Sequence, residues 1–297
     1  MPELPDILLY TEALQRHVVD QVIEEVTVRS PFLVRTVSPS ISSLRGKTVI
    51  GIQNIGKRII LNLTDEVHLV FHLMIAGRFK WRPSGTRPKS RNDLMCITFP
   101  GGVLLLTEVG TKKRASLHIA VGADELESYD PGGIDVLTCT VETFANALRL
   151  ENHTLKRALT DPRLFSGIGN AYSDEILHRA GMSPFQWTSR TSDTEAGTLL
   201  SAARSTLGQW IHSLRDEVGT SFPEKVTAFR PAMAVHGKFG KPCPICSAQV
   251  QRIVYGDRET NYCPGCQTDG IILADRALSR ILKKDWPRNI EELGRTP

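Results

Sequence analysis

The chain has 297 residues, room for about two domains. Its hydrophobic fraction of 41% supports a sizeable core and excludes a disordered or fibrous chain. A net charge of +4 and a pI of about 8.7 permit a polyanionic partner without demanding one, and no apolar run approaches the roughly 18 residues of a membrane span. Acidic residues follow the start at once, which argues against a signal peptide and for a cytoplasmic protein with no membrane partner.

In chain order, Pro5 and Asp6 start a predicted helix over 5–18, with Ile7, Leu14 and Val18 near one face. Short runs rich in branched residues follow at 22–28, 48–52, 58–63, 67–73, 94–99, 103–106 and 116–121, separated by Asn, Asp, Gly and Pro. Strands at this spacing predict an antiparallel sandwich or barrel, against which the first helix packs. Residues 82–92 read as a loop. With Arg78, Lys80, Arg82, Arg87, Lys89 and Arg91 the region is basic, either a solvated loop or a phosphate-facing flank. Asp130-Pro131-Gly132-Gly133 reads as a linker, after which the periodicity turns helical at 141–151, 155–160, 171–181 and 192–218. Gly181 and Pro184 stop the third of these helices. Near the end, Leu278, Ile281, Leu282 and Trp286 form an amphipathic patch suited to a short docked helix.

Five stretches are candidates for chemistry. In Cys243-Pro-Ile-Cys246 and Cys263-Pro-Gly-Cys266, two thiol pairs sit at a spacing that can surround one tetrahedral zinc. In a reducing compartment such pairs read as a structural metal site rather than as disulfides. The segment between them reads as a hairpin turning at Gly256-Asp257, which puts Arg258 at or beside its tip. Ser166-Gly167-Ile168-Gly169-Asn170 feeds a helix N-terminus, where Asn170 either caps the helix or donates to a phosphate. Lys57 lies in the turn Gly56-Lys57-Arg58, as a solvated lysine or as a charge placed over the sheet edge; His72 lies in an apolar strand, where a satisfied buried histidine is the default. Met1-Pro2-Glu3-Leu4-Pro5-Asp6 is either a stiff helix start or, once Met1 is removed, a secondary amine beside a carboxylate. Such an amine can attack an aldehyde carbon and form a Schiff base, and an α-amine titrates about two units below lysine.

Taken together, these residues resemble the formamidopyrimidine-DNA glycosylase and endonuclease VIII family of base-excision repair enzymes, over about residues 2–267. The start is similar to the family's Pro-Glu-Leu-Pro-Glu, and Leu4 favours the formamidopyrimidine branch. Gly56-Lys57-Arg58, His72-Leu73 followed by Gly77, the 159–184 stretch with Asp174-Glu175, Ala234-Val235-His236-Gly237 and the cysteine hairpin match its motifs in order. The resemblance implies an α+β multidomain fold: an N-terminal helix plus antiparallel β-sandwich (1–130), a helix–two-turn–helix domain (138–230), a zinc finger (234–267) and a C-terminal extension (268–297). It implies a monomeric glycosylase and abasic-site lyase acting on damaged DNA, associated with the nucleoid in a bacterium. Pro2 is then the nucleophile toward C1′ and Glu3 the acid that protonates the sugar. Lys57 binds phosphate and serves β-elimination, and Asn170 and Arg258 grip the flanking phosphates, Arg258 also assisting δ-elimination. His72 is a further phosphate contact.

Two departures stand out. Ile75 occupies a position where the family normally has Met, and Glu108 to Arg114 replaces an Asp-Pro-Arg-Arg-Phe-Gly stretch whose Arg and Phe fill the gap left by the flipped base. Weak discrimination of the opposite base, with a leaning to single strands or bubbles, is the expectation. An endonuclease VIII-like preference for oxidised pyrimidines and a non-catalytic damage-binding role are the alternatives.

Overall fold

The computed structural model describes residues 1–256, 258–275, 281 and 286–293. It divides into two compact units, one formed by 1–131 with 209–228 and the other by 132–208 with 229–297.

The first unit is a sandwich of two four-stranded antiparallel sheets. One sheet orders β1 (Glu25–Val28), β6 (Asp93–Phe99), β7 (Gly102–Glu108) and β5 (Gly77–Arg82). The other orders β2 (Val49–Ile55), β3 (Arg58–Leu63), β4 (Val67–His72) and β8 (Ser116–Val121). Strand periodicity decides which side chains meet. Ile59, Leu61 and Leu63 of β3 face the shared core with Leu69 and Phe71 of β4, while Ile60 and Val70 turn to the opposite face and join Ala120. Helix α1 (Leu4–Val18) buries Ile7, Tyr10, Leu14 and Val18 in the same core, as its spacing predicts. Residues 209–228 return to this unit. Phe222 packs against Tyr10, His17 and Trp81, Arg82 pairs with Glu224, and Arg215 Nε donates to Glu12 at 3.0 Å.

One strand and one α-helix of this unit differ from expectation. β5 was not anticipated, because its sequence Gly-Arg-Phe-Lys-Trp-Arg reads as a charge run. In the sheet, Phe79 points into the core, while Arg78 and Arg82 are tied to backbone carbonyls and to Glu224. Only Arg87, Lys89 and Arg91, further along, keep the exposure of a solvated loop. The five-residue helix α2 (Ala123–Glu127) was also unread. Gly77, which opens β5, closes a turn by donating to Leu73 O at 2.9 Å, and a Cβ there would fall 2.3 Å from that same oxygen. Gly77→Ala should therefore lower stability by about 1–3 kcal/mol, read as a lower urea midpoint. An unchanged midpoint would mean that the turn opens without cost.

The second unit carries α3 (Val141–Arg149), α4 (Leu155–Thr160), α5 (Asn170–Ala180) and the 26-residue α6 (Asp193–Val218), close to the predicted spans. The boundary between the units falls inside α6. Thr140 and Thr154 cap α3 and α4 through their side chains. Gly181 ends α5 in the left-handed conformation at φ +66°, the stop expected of it. Beyond lies the hairpin β9 (Gln251–Tyr255) and β10 (Arg258–Tyr262), with Arg258 opposite Tyr255, then α7 (Pro264–Gln267) and α8 (Ile290–Leu293). Of the expected C-terminal amphipathic patch, Leu278 and Leu282 lie outside the described residues, and Ile281 is exposed. Among the described residues no helix is long and apolar enough to cross a membrane.

Candidate active site and metal centre

In the first unit the chain start folds into the protein. Pro2, Glu3 and Asp6 are buried, Glu3 at 2% and Asp6 at 1% exposure. The Asp6 carboxylate accepts from the Glu3 N–H at 3.0 Å, which fixes the first turn of α1. Met1 precedes Pro2 in the described chain, so the α-amine is Met1's. Burial pulls that amine below its ordinary value and Glu3 opposes, with Arg78 and Lys57 lowering it further and Asp6 raising it. Lys57, in the two-residue turn between β2 and β3, is half-buried. Desolvation pulls it below the usual lysine range and Glu3 again opposes. Amine, carboxylate and lysine thus share one electrostatic neighbourhood, and the reading of Lys57 as a fully solvated turn residue gives way.

His72 ends β4 opposite Arg58 on β3 and Ser116 on β8, while Val70, two residues earlier, faces His118. It is half-buried, and burial pushes it down to about 4, with Arg58, Lys57 and His118 adding to the shift. The neighbours that add to this shift, Arg58, Lys57 and His118, are all basic. The unfolded chain takes up this proton near 6.5 and the folded chain only near 4. His72 therefore leaves stability untouched above pH 6.5 and erodes it as pH falls toward 4. His72→Gln should flatten that acid limb by roughly 2–3 kcal/mol, measured by urea unfolding from pH 7 to 4. An identical pH profile in both proteins would show that His72 titrates as it does in the unfolded chain.

In the second unit Asn170 is the first residue of α5 while Gly169 holds the cap position, so the capping alternative gives way. Behind it lies a buried network that sequence reasoning did not foresee. Lys156 Nζ donates to Asn170 O at 2.6 Å, Ser173 Oγ at 2.8 Å and Asp174 Oδ1 at 2.5 Å. The other Asp174 oxygen pairs with His236 Nδ1 at 2.8 Å and accepts from Asn261 Nδ2 at 3.2 Å. Glu175 accepts from the backbone N–H groups of Ala234, Val235 and His236 at 2.8–2.9 Å. One face of α5 thereby holds the approach to the hairpin and, through Asn261, the strand that begins at Arg258. Only the backbone of Arg258 is described.

The four predicted cysteines converge. Cys243 and Cys266 sulfurs lie 3.8 Å apart, and those of Cys246 and Cys263 lie 3.3 Å apart. Zn–S bonds of about 2.3 Å give a tetrahedral edge of about 3.8 Å, so the donor set fits a zinc site. The His178 Nε2 atom, which no spacing argument singled out, lies 3.3 Å from Cys243 Sγ. It is separated from that cysteine by 65 positions in the chain, and only the fold brings the two together.

The chain was compared with known proteins. Residues 1–111 match the formamidopyrimidine-DNA glycosylase N-terminal domain, and residues 134–221 match the formamidopyrimidine-DNA glycosylase H2TH domain. A formamidopyrimidine-DNA glycosylase of Exiguobacterium is 30% identical over 283 residues, covering 90% of this chain and 99% of that one. The chain belongs to the formamidopyrimidine-DNA glycosylase family. An uncharacterised formamidopyrimidine-DNA glycosylase-like protein of Mycobacterium tuberculosis is 38% identical over 151 residues, covering 51% of this chain and 94% of that one. Among solved structures, the Lactococcus lactis family member in complex with abasic-site DNA superposes with a TM-score of 0.79 at 25% identity, covering 90% of this chain and 99% of that one.

The loop after β7 is the second of the two departures from the family pattern, and the structure shows what holds it. Glu108 is buried, and its carboxylate accepts from Arg114 N at 3.0 and 2.9 Å and from Ala115 N at 3.1 Å. Lys113 donates to Asn92 Oδ1 at 3.1 Å and to Glu108 O. The loop is stapled shut at its base, and it offers Val109, 68% exposed, where the resemblance calls for an Arg and a Phe.

Proposed function

We propose that this chain is a bifunctional DNA glycosylase and abasic-site lyase of base-excision repair. With Met1 removed, the Pro2 nitrogen attacks C1′ of the damaged nucleotide, the base departs, and an iminium bond joins protein and sugar. Glu3 protonates the sugar oxygen and assists ring opening. Lys57 holds a phosphate and assists β-elimination, and Arg258 assists δ-elimination. Asn170, Arg258 and His72 grip the flanking phosphates, which positions the DNA without reading its sequence. The nucleotide must leave the stack to reach Pro2. The protein acts as a monomer in the cytoplasm on damaged DNA, and one structural zinc, held by Cys243, Cys246, Cys263 and Cys266, stiffens the hairpin that bears Arg258. The domain division at 1–130, 138–230, 234–267 and 268–297 belongs to the same reading.

The observation that carries this reading is the joint burial of Pro2 and Glu3 within electrostatic reach of Lys57. The test is borohydride trapping on abasic-site DNA, with the adduct mapped to a peptide. An adduct on the N-terminal proline supports the reading. DNA binding without an adduct leaves the damage-binding alternative in its place.

The stapled loop after Glu108 favours weak discrimination of the base opposite the lesion. Turnover of 8-oxoguanine should vary less than about tenfold among the four opposite bases, and single-stranded or bubble lesions should be cut at least as well as duplex ones. A marked preference for 8-oxoguanine paired with cytosine in duplex would sink this expectation. Oxidised pyrimidines in the same panel test the endonuclease VIII-like alternative.

A further inference from the structure

A histidine lies among the cysteines of the candidate zinc site. The donor atoms of His178, Cys243, Cys263 and Cys266 all lie within 4.8 Å of one another. Three of these residues are buried and Cys266 is half-buried, whereas Cys246 is exposed. His178 sits on α5 with 4% exposure, one turn beyond Asp174 and Glu175, whose bonds to His236, Asn261 and the 234–236 backbone fix the helix against the cysteine module. Its ring nitrogen is therefore held at the sulfurs by the fold and is not a chance rotamer of a surface side chain.

We infer that His178 is a reserve zinc ligand. With all four thiolates in place, the protonated Nε2 donates to Cys243 Sγ, an outer hydrogen bond of the kind that orients metal ligands. Were the exposed Cys246 lost as a ligand, His178 would stand in for its thiolate, with the ring proton carried on Nδ1 so that the Nε2 lone pair would be free for the ion. Three thiolates and one imidazole are an ordinary structural zinc set. The site would then hold its metal, and the hairpin its shape, through chemical damage to the most exposed of its four thiols, since susceptibility to oxidation follows exposure.

This inference rests on the zinc reading above, and the test separates the two. Full-length protein is purified in four forms: wild type, Cys246→Ala, His178→Phe, and the double variant. Zinc per chain is measured by native mass spectrometry after a fixed exposure to a chelator, and cobalt-loaded samples are read for thiolate charge-transfer absorption. The expected result is one zinc in wild type, His178→Phe and Cys246→Ala. The cobalt spectrum of Cys246→Ala should show the loss of one thiolate and the gain of a nitrogen ligand. The double variant should release zinc at least about tenfold faster than Cys246→Ala. Equal retention in Cys246→Ala and the double variant would overturn the inference, because water would then be filling the fourth position. Loss of zinc from Cys246→Ala alone would also overturn it, and so would loss from His178→Phe alone, which would make His178 an obligatory ligand. Wild type without zinc would instead defeat the zinc reading itself. Circular dichroism of each variant confirms that the helices persist.

Discussion

Protein that starts at Pro2 should cleave abasic-site DNA at least about a thousandfold faster than the same protein retaining Met1, while the two bind that DNA within about threefold of each other. The reasoning is geometric. Met1 supplies an amine too, but one residue displaced, and an error of about 1 Å in the placement of a reacting group can cost a factor of a hundred. Pro2 within a peptide bond has no lone pair to offer C1′, so the covalent route closes altogether unless another amine takes over. Lys57 is the candidate for that, since desolvation already favours its neutral form. Mapping any residual adduct decides between the two: attachment at Lys57 in the Met1 form, at a rate close to that of the Pro2 form, would transfer the nucleophile's role from Pro2 to Lys57.

Asp174→Ala should cost about 3–5 kcal/mol of stability, the range for breaking a buried ion pair by removing one partner. Asp174 is 1% exposed and meets Lys156 on one oxygen and His236 and Asn261 on the other. Its removal strands the Lys156 ammonium among Asn170 O and Ser173 Oγ, with no countercharge among its remaining partners in the described residues. Urea unfolding at pH 7 gives the size of the loss. The double change Asp174→Leu with Lys156→Met, which removes both charges, should recover most of it. If it does not, the network's value lies in its neutral hydrogen bonds to His236 and Asn261. DNA affinity should fall in the single variant beyond what the unfolded fraction explains, because the same carboxylate braces the strand that starts at Arg258.

Much of this was legible in the sequence, for reasons that can be named. β3 and β8 fall where expected, over 58–63 and 116–121, since Ile59, Leu61 and Leu63 of the one and Leu117 and Ile119 of the other recur at the strand period of two on the core face. The cysteine pairs announced themselves by spacing alone. The proposal for Pro2 comes from the family motifs, because Met1 to Asp6 taken alone reads as a stiff helix start. β5 was lost because Arg78, Lys80 and Arg82 alternate with Phe79 and Trp81, and the charges masked the strand period. What decides whether Arg78 is a surface charge or a strut is Val226 O, 2.6 Å from its Nε and 148 positions away. His178, Glu108 and the partners of Asp174 were hidden for the same reason: each earns its role from a residue remote in sequence, and no local period encodes that.

The return of residues 209–228 to the first unit has a consequence for how this protein can be taken apart. The chain crosses between its two units three times, at 131/132, 208/209 and 228/229, and the middle crossing lies inside α6. A gene fragment ending at the linker would code for a sandwich stripped of Phe222 over Trp81, of Glu224 beside Arg82 and of the carbonyl that anchors Arg78. The units are therefore poor currency for recombination. A graft that exchanges the sandwich between relatives must carry two separate stretches of sequence, and a single crossover near residue 131 should yield chimeras that fold badly unless both parents agree over 209–228.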